Sequence, residues 1–286
     1  MVTSLAPTPE IDDALVRHGL RPHRIALVSP LGDLKGRRLA YRVDAEDGGT
    51  CKVRQFESPD VARQNFELRT GLEGAFAPPL AWYGPVLVEA WVDGVPLSPF
   101  DAAERAEEAG ALLGRLHARR TGVPSTTGTE RWRQGAESDL EILASSGRLS
   151  PSNCAFLREA LRTRDPGMAP AALAHMDFCA ENMIVDPRGC LRVIDNEQLS
   201  IEPAGLDLAR AFERWPMPES VWVRFSRGYR STAPVEPGSA GFWRLVAALL
   251  AARVYLHRSP ERFETALELL GRLIRGDRLS ERQCNG

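Results

Sequence analysis

His175-Met176-Asp177-Phe178-Cys179-Ala180-Glu181-Asn182, with Val193-Ile194-Asp195-Asn196-Glu197 close behind it, is the stretch whose reading decides the fold. The apolar run Ala171-Ala172-Leu173-Ala174 reads as a buried strand that ends at His175 and releases the chain into a polar loop. Beyond Asn182, Met183-Ile184-Val185 and Leu191-Arg192-Val193-Ile194 flank the turn residues Asp186-Pro187-Arg188-Gly189, the pattern of a hairpin. Such a hairpin returns Asp195 to the side of Asn182. An amide oxygen and a carboxylate meeting there suit a hard cation such as Mg²⁺, which takes one or two protein oxygens and keeps phosphates and waters as its other ligands. Asp177, on the loop ahead of them, is placed to handle a proton.

Read together, His175-x-Asp177-x4-Asn182 and Ile194-Asp195-x-Glu197 resemble the signature of the aminoglycoside phosphotransferase and choline kinase-like family of small-molecule kinases. The resemblance implies an α+β, protein kinase-like fold of two lobes. It places a small antiparallel-sheet N-lobe with one helix at residues 1–92, and a larger, mainly helical C-lobe at 93–286. It also implies transfer of the γ-phosphoryl group of ATP, or GTP, to a hydroxyl, with Asp177 as the catalytic base and Asn182 and Asp195 holding Mg²⁺. Upstream, Thr50-Cys51-Lys52-Val53-Arg54 resembles the strand whose Lys grips the nucleotide phosphates, and Glu67 lies where a helix supplies that Lys with its ion-pair partner. Arg54 shares the strand face of Lys52 and is the alternative phosphate ligand. Glu89-Ala90-Trp91-Val92-Asp93-Gly94 resembles the connector between lobes, so Glu89 and Trp91 are expected to present backbone groups to the adenine. His175 and Asp207 are expected to support the loop. Glu197 is a further metal or water ligand, or faces the substrate.

The remaining chain supplies context. Ser58-Pro59-Asp60 is a helix start, with Val61, Asn65, Leu68 and Leu72 along one face. Asp101 with Glu104 reads as the cap of a core helix leading to His117, and Gly122 to Gly135 as a polar loop. Ser29 to Gly36 is either the phosphate-covering loop or an ordinary hairpin turn. Only a dozen positions separate Asp195 from Asp207, too few for an activation loop, so a protein substrate is not expected.

Composition fits a cytoplasmic enzyme. A formal net charge of −2 argues against dedicated nucleic-acid binding, and five scattered cysteines suggest reduced thiols. No apolar run reaches membrane-spanning length, and the first residues lack a signal-peptide pattern. The expected acceptor is a small hydroxylated molecule: an aminoglycoside, another antibiotic, a sugar or an amino alcohol. Glu137, Asp139, Glu141, Glu197 and Glu202 are the carboxylates available to a polycation. A kinase fold that binds nucleotide without transfer is the competing class.

Overall fold

The computed structural model describes residues 7–28, 39–72, 74–119, 126–215, 217–233 and 239–274. By contact the chain divides into two units. One comprises Met1–Pro96 with Asn182–Leu199, the other Leu97–Glu181 with Ser200–Gly286.

The first unit is built on an antiparallel sheet of β1 (Pro22–Leu27), β2 (Ala40–Ala45), β3 (Thr50–Gln55), β4 (Pro79–Tyr83) and β5 (Val86–Ala90), in the order β1-β2-β3-β5-β4. Alternation along β3 and β5 sends Cys51, Val53, Val86 and Val88 to one face, where Ile11, Ala14 and Leu15 of helix α1 (Pro9–Arg17) cover them. The other face carries Lys52, Arg54 and Glu89. Helix α2 (Pro59–Arg69) opens as the sequence predicts, with Pro59 in the first turn and Ser58 Oγ accepting from Val61 N at 3.3 Å. Its buried face is Ala62, Asn65, Leu68 and Arg69, not the stripe through Val61. The expectation of one helix in this region is corrected to two: Thr8-Pro9 opens α1, which buries Ile11, Ala14 and Leu15.

The boundary at 92/93 does not describe this unit. Strand β6 (Val95–Pro96) pairs with β8 (Met183–Val185), which forms the expected hairpin with β9 (Leu191–Val193). Val193 N donates to Ala75 O at 2.7 Å, and Ala77 N donates to Val193 O at 3.4 Å. These pairings tie the hairpin to the N-terminal segment.

The second unit is mainly helical, with a two-stranded sheet of β7 (Ala171–Ala174) and β10 (Ser200–Pro203). Its core gathers around α9 (Ala240–Tyr255), buried nearly all round, against α5 (Thr126–Ser145), α6 (Pro151–Arg164), α7 (Ala204–Arg214) and α10 (Pro260–Ile274). Residues 126–135 are helical where a loop was expected, the start of α5: Glu130, Arg131, Gln134 and Gly135 are exposed, while Thr129 is buried. The cap expected at Asp101 belongs to Ser98, whose Oγ accepts from Asp101 N at 3.1 Å at the start of α3 (Pro99–Glu104), while α4 (Ala106–Arg119) is a separate helix. Helices α4 and α8 (Glu219–Thr232) approach closely because Gly110 and Gly228 face the partner backbone, at Phe225 and Glu107 respectively. No described helix is long and apolar enough to cross a membrane.

Candidate active site

In the first unit the β5–β3 register sets Glu89 directly opposite Lys52. Lys52 Nζ lies 3.4 Å from Glu89 Oε1 and 2.5 Å from Asp195 Oδ1. Arg54 reaches the same Asp195 oxygen at 2.9 Å and Glu197 Oε1 at 3.2 Å, so one buried guanidinium bridges the two carboxylates. Arg69 of α2 lies 2.5 Å from Glu89 Oε2, accompanied by donation to Ala77 O at 2.6 Å. Burial works against the Glu89 charge, but Arg69, Lys52 and Arg54 outweigh it and hold the carboxyl at about 2. Asp195 follows the same logic: burial opposes its charge, and Lys52 and Arg54 depress its pKa overall.

The expectation that Glu67 pairs with Lys52 is corrected. Glu67 is more than half exposed and lies 3.6 Å from Arg63 on its own helix. Asn65 and Arg69, four apart, face inward, and Glu67 midway between them faces out. Glu89 on the neighbouring strand is the partner of Lys52. Its backbone lies inside β5, between β3 and β4. Trp91 follows beyond the last strand residue, its indole donating to Asp93 Oδ1 at 3.1 Å with the Arg42 guanidinium 4.7 Å from the ring centroid.

The metal-binding candidates come together as the hairpin requires: Ile194 N donates to Asn182 O at 2.9 Å, setting Asp195 one residue beyond that bond. Asp186 fastens the turn by accepting from Arg188 N and Cys190 N at 2.9 and 2.8 Å. Asp195 itself adopts the left-handed conformation, φ 56°, which turns its carboxylate toward Lys52. Asn65 Nδ2 then donates to the carbonyls of Asn196 and Glu197 at 3.1 and 3.3 Å, tying α2 to the short 3-10 turn Asn196–Gln198. Glu197 Oε2 is buried with no hydrogen-bond partner among the described residues. That orphaned carboxylate oxygen has the donor chemistry a hard cation takes, although the described residues hold no group of three or more His, Cys, Asp or Glu side chains arranged for a metal. The stretch Ser29 to Gly36 read as a phosphate loop or turn lies outside the described residues.

In the second unit, Asp207 is fully buried and organises the loop that carries Asp177. It accepts from His175 N at 2.6 Å, Met176 N at 2.8 Å and His117 Nε2 at 3.1 Å. Burial alone would raise its pKa, but these bonds and the nearby imidazoles hold it below its ordinary value. The Asp207 carboxylate can only accept, which puts a proton on His117 Nε2, while Nδ1 lies 2.8 Å from Tyr229 Oη. His175, also fully buried, accepts from Asp177 N at 3.3 Å. Met176 is left-handed, φ 65°, its side chain packed in the core and its carbonyl accepting from Arg210 Nε at 2.6 Å. That supporting scaffold is the one anticipated for His175 and Asp207.

Arg214 was missed. Its Nε lies 2.9 Å from Asp177 Oδ1, and its Nη1 donates to Tyr255 Oη at 2.9 Å. The signal was present, since Asp207, Arg210 and Arg214 fall at i, i+3 and i+7 on one face of α7. Burial disfavours the guanidinium charge, yet Asp177, Cys179 and Tyr255 outweigh it and raise the pKa well above the ordinary arginine value.

A family model described as the phosphotransferase enzyme family matches residues 66–236, more than half of the chain. The chain belongs to that family, and it is a phosphotransferase of the small-molecule kinase class. Its fold is similar to that of choline kinase from Cryptosporidium parvum Iowa II, at 15% identity and a TM-score of 0.64, covering 97% of this chain and 98% of that one. Spectinomycin phosphotransferase APH(9)-Ia, solved with ADP and spectinomycin, is similar at 13% identity and a TM-score of 0.63, covering 96% and 99%. Macrolide 2'-phosphotransferase MphH from Brachybacterium faecium gives 17% identity and a TM-score of 0.60, covering 92% and 98%. At these identities the likeness concerns the fold. No curated protein matches the chain.

Proposed function

We propose that the protein is an ATP-dependent O-phosphotransferase acting in the cytoplasm on a hydroxyl of a small molecule. The observation that carries this reading is that each unit fixes its own candidate residues: one the loop, the other the hairpin. Asp207 clamps the backbone that presents Asp177, and the Asn182–Ile194 bond sets Asp195 beside Asn182 with Lys52 at its carboxylate.

In the transfer, the acceptor oxygen bonds to the γ-phosphorus and the bond from that phosphorus to the bridging oxygen breaks. ADP leaves with the electron pair, and the hydroxyl proton passes to the Asp177 carboxylate. Lys52 offers its ammonium to the nucleotide phosphates and Glu89 holds it in place, the role first expected of Glu67. Trp91 and its neighbours offer backbone groups to the adenine. Asn182 and Asp195, with Glu197 beside them, would hold Mg²⁺, which supplies neutralisation of phosphate charge. Because the transition state is loose, orientation and charge placement contribute more than proton removal.

One observation favours the alternative, a kinase-like fold that binds nucleotide without transfer: Lys52 and Arg54 already neutralise the Asp195 oxygen that a cation would need. Titration of ATP with and without Mg²⁺ separates the two. The transferase reading predicts tighter binding with Mg²⁺ that Asp195→Ala abolishes; equal affinity in both conditions would favour the binding-only fold.

A further inference from the structure

Resting on the transferase reading, we infer that the acceptor is an uncharged or anionic hydroxyl compound, with Arg214 and Arg262 excluding polycations. A site for a polycation needs carboxylates whose charge is not already met. Around Asp177 the carboxylates of Asp177 and Glu181 each face an arginine. Arg214 lies 2.9 Å from Asp177 and 3.6 Å from Glu181, and Arg262 lies 3.3 Å from the other Glu181 oxygen. Glu213, the remaining acid of this cluster, is pushed by burial toward its neutral form.

The carboxylates that the sequence offered to a polycation are matched in the same way. Asp139 lies 2.6 Å from Arg253, Glu197 3.2 Å from Arg54, and Glu137 2.9 Å from Arg133, while Glu141 and Glu202 pair with Arg158 and Arg131. The pair at Glu137 is exposed and weak by itself. The cluster at Asp177 is different, because Arg214 is mostly buried and braced by Tyr255.

Arg214 also has a donor to give. Its Nε is close to Asp177 in distance but is not aligned for a hydrogen bond, and that N–H is buried without an acceptor among the described residues. A buried unused donor beside the base favours an acceptor that brings an oxygen to it, a hydroxyl or a carboxylate, over one that brings an ammonium. An ammonium there would meet the raised, permanently charged guanidinium at close range.

The test is calorimetric titration of kanamycin, a polycation, and gluconate, an anionic polyol, into the full-length protein, Arg214→Gln and Arg262→Gln. Circular dichroism and MgATP affinity check that each variant is folded. Arg262 is half-exposed, so its variant keeps the test valid should Arg214→Gln fail to fold. The expected result is that removal of an arginine tightens kanamycin binding at least about tenfold and weakens gluconate binding. Kanamycin binding to the unaltered protein as tight as to the folded variants would overturn the inference, as would a gain below tenfold. Failure of the transferase reading is separable, since it would appear as Mg²⁺-independent nucleotide binding and would leave these affinities untouched.

Discussion

At the scale of single residues, two non-glycine positions among the described residues are left-handed, Met176 in one unit and Asp195 in the other. A non-glycine residue there costs roughly 1–3 kcal/mol, sustained by the surrounding bonds. Met176→Gly relieves that cost but removes a buried side chain worth roughly 2–5 kcal/mol. The packing loss is the larger, so thermal denaturation should give a lower Tm for Met176→Gly than for the unaltered protein. Asp177→Asn keeps the loop bonds to Asp207 and should lose about 10²-fold or more in turnover while binding MgATP normally. Full turnover in that variant would remove Asp177 as the base. The residues of this loop and hairpin were legible in the sequence because their spacing reports local chain geometry. Arg214 shares a face of α7 with Asp207, a weaker signal, since an arginine at a helix end reads as a solvated charge until the loop packed against it is known.

At the scale of elements, the lesson lies in α2 and β5. The inward placement of Asn65 was readable from the 3.6-residue period, and the same period puts Glu67 half a turn away from it. What the sequence could not supply was the strand register that sets Glu89 opposite Lys52, because β4 and its tight turn into β5 intervene with no strong alternation. Glu89→Gln should cost about 3–5 kcal/mol in denaturant unfolding, since it strips a buried pair from Arg69 and Lys52, whereas Glu67→Gln at an exposed pair should cost under about 1 kcal/mol. Equal effects would return the partnership to Glu67. The depressed Glu89 pKa carries a sign as well. A carboxyl whose folded pKa lies below its unfolded value stabilises fully above the unfolded value of 4.5 and loses that contribution as pH falls toward about 2. Acid unfolding of Glu89→Gln should therefore show a shallower pH dependence across that window. In the second unit, Gly110→Ala sets a methyl group against the Phe225 carbonyl and should destabilise by at least about 1–3 kcal/mol through separation of α4 from α8.

For the whole molecule, the order of motifs along the chain anticipated an antiparallel sheet followed by helices, and the family match and the structure agree. A single boundary after residue 92 follows from reading the chain as a line. The hairpin Asn182–Leu199 groups instead with the N-terminal unit, because Val193 and β8 hydrogen-bond to segments before residue 97. Substrate identity was the part least accessible to sequence, for a carboxylate's availability depends on which arginine folds beside it. The most direct test of the account is ADP formation with MgATP against a panel of uncharged, anionic and polycationic hydroxyl compounds, with Asp195→Ala alongside. The account predicts ADP formation that rises with one acceptor class and is abolished in Asp195→Ala; ADP formation that no acceptor raises, and that Asp195→Ala leaves unchanged, would contradict it.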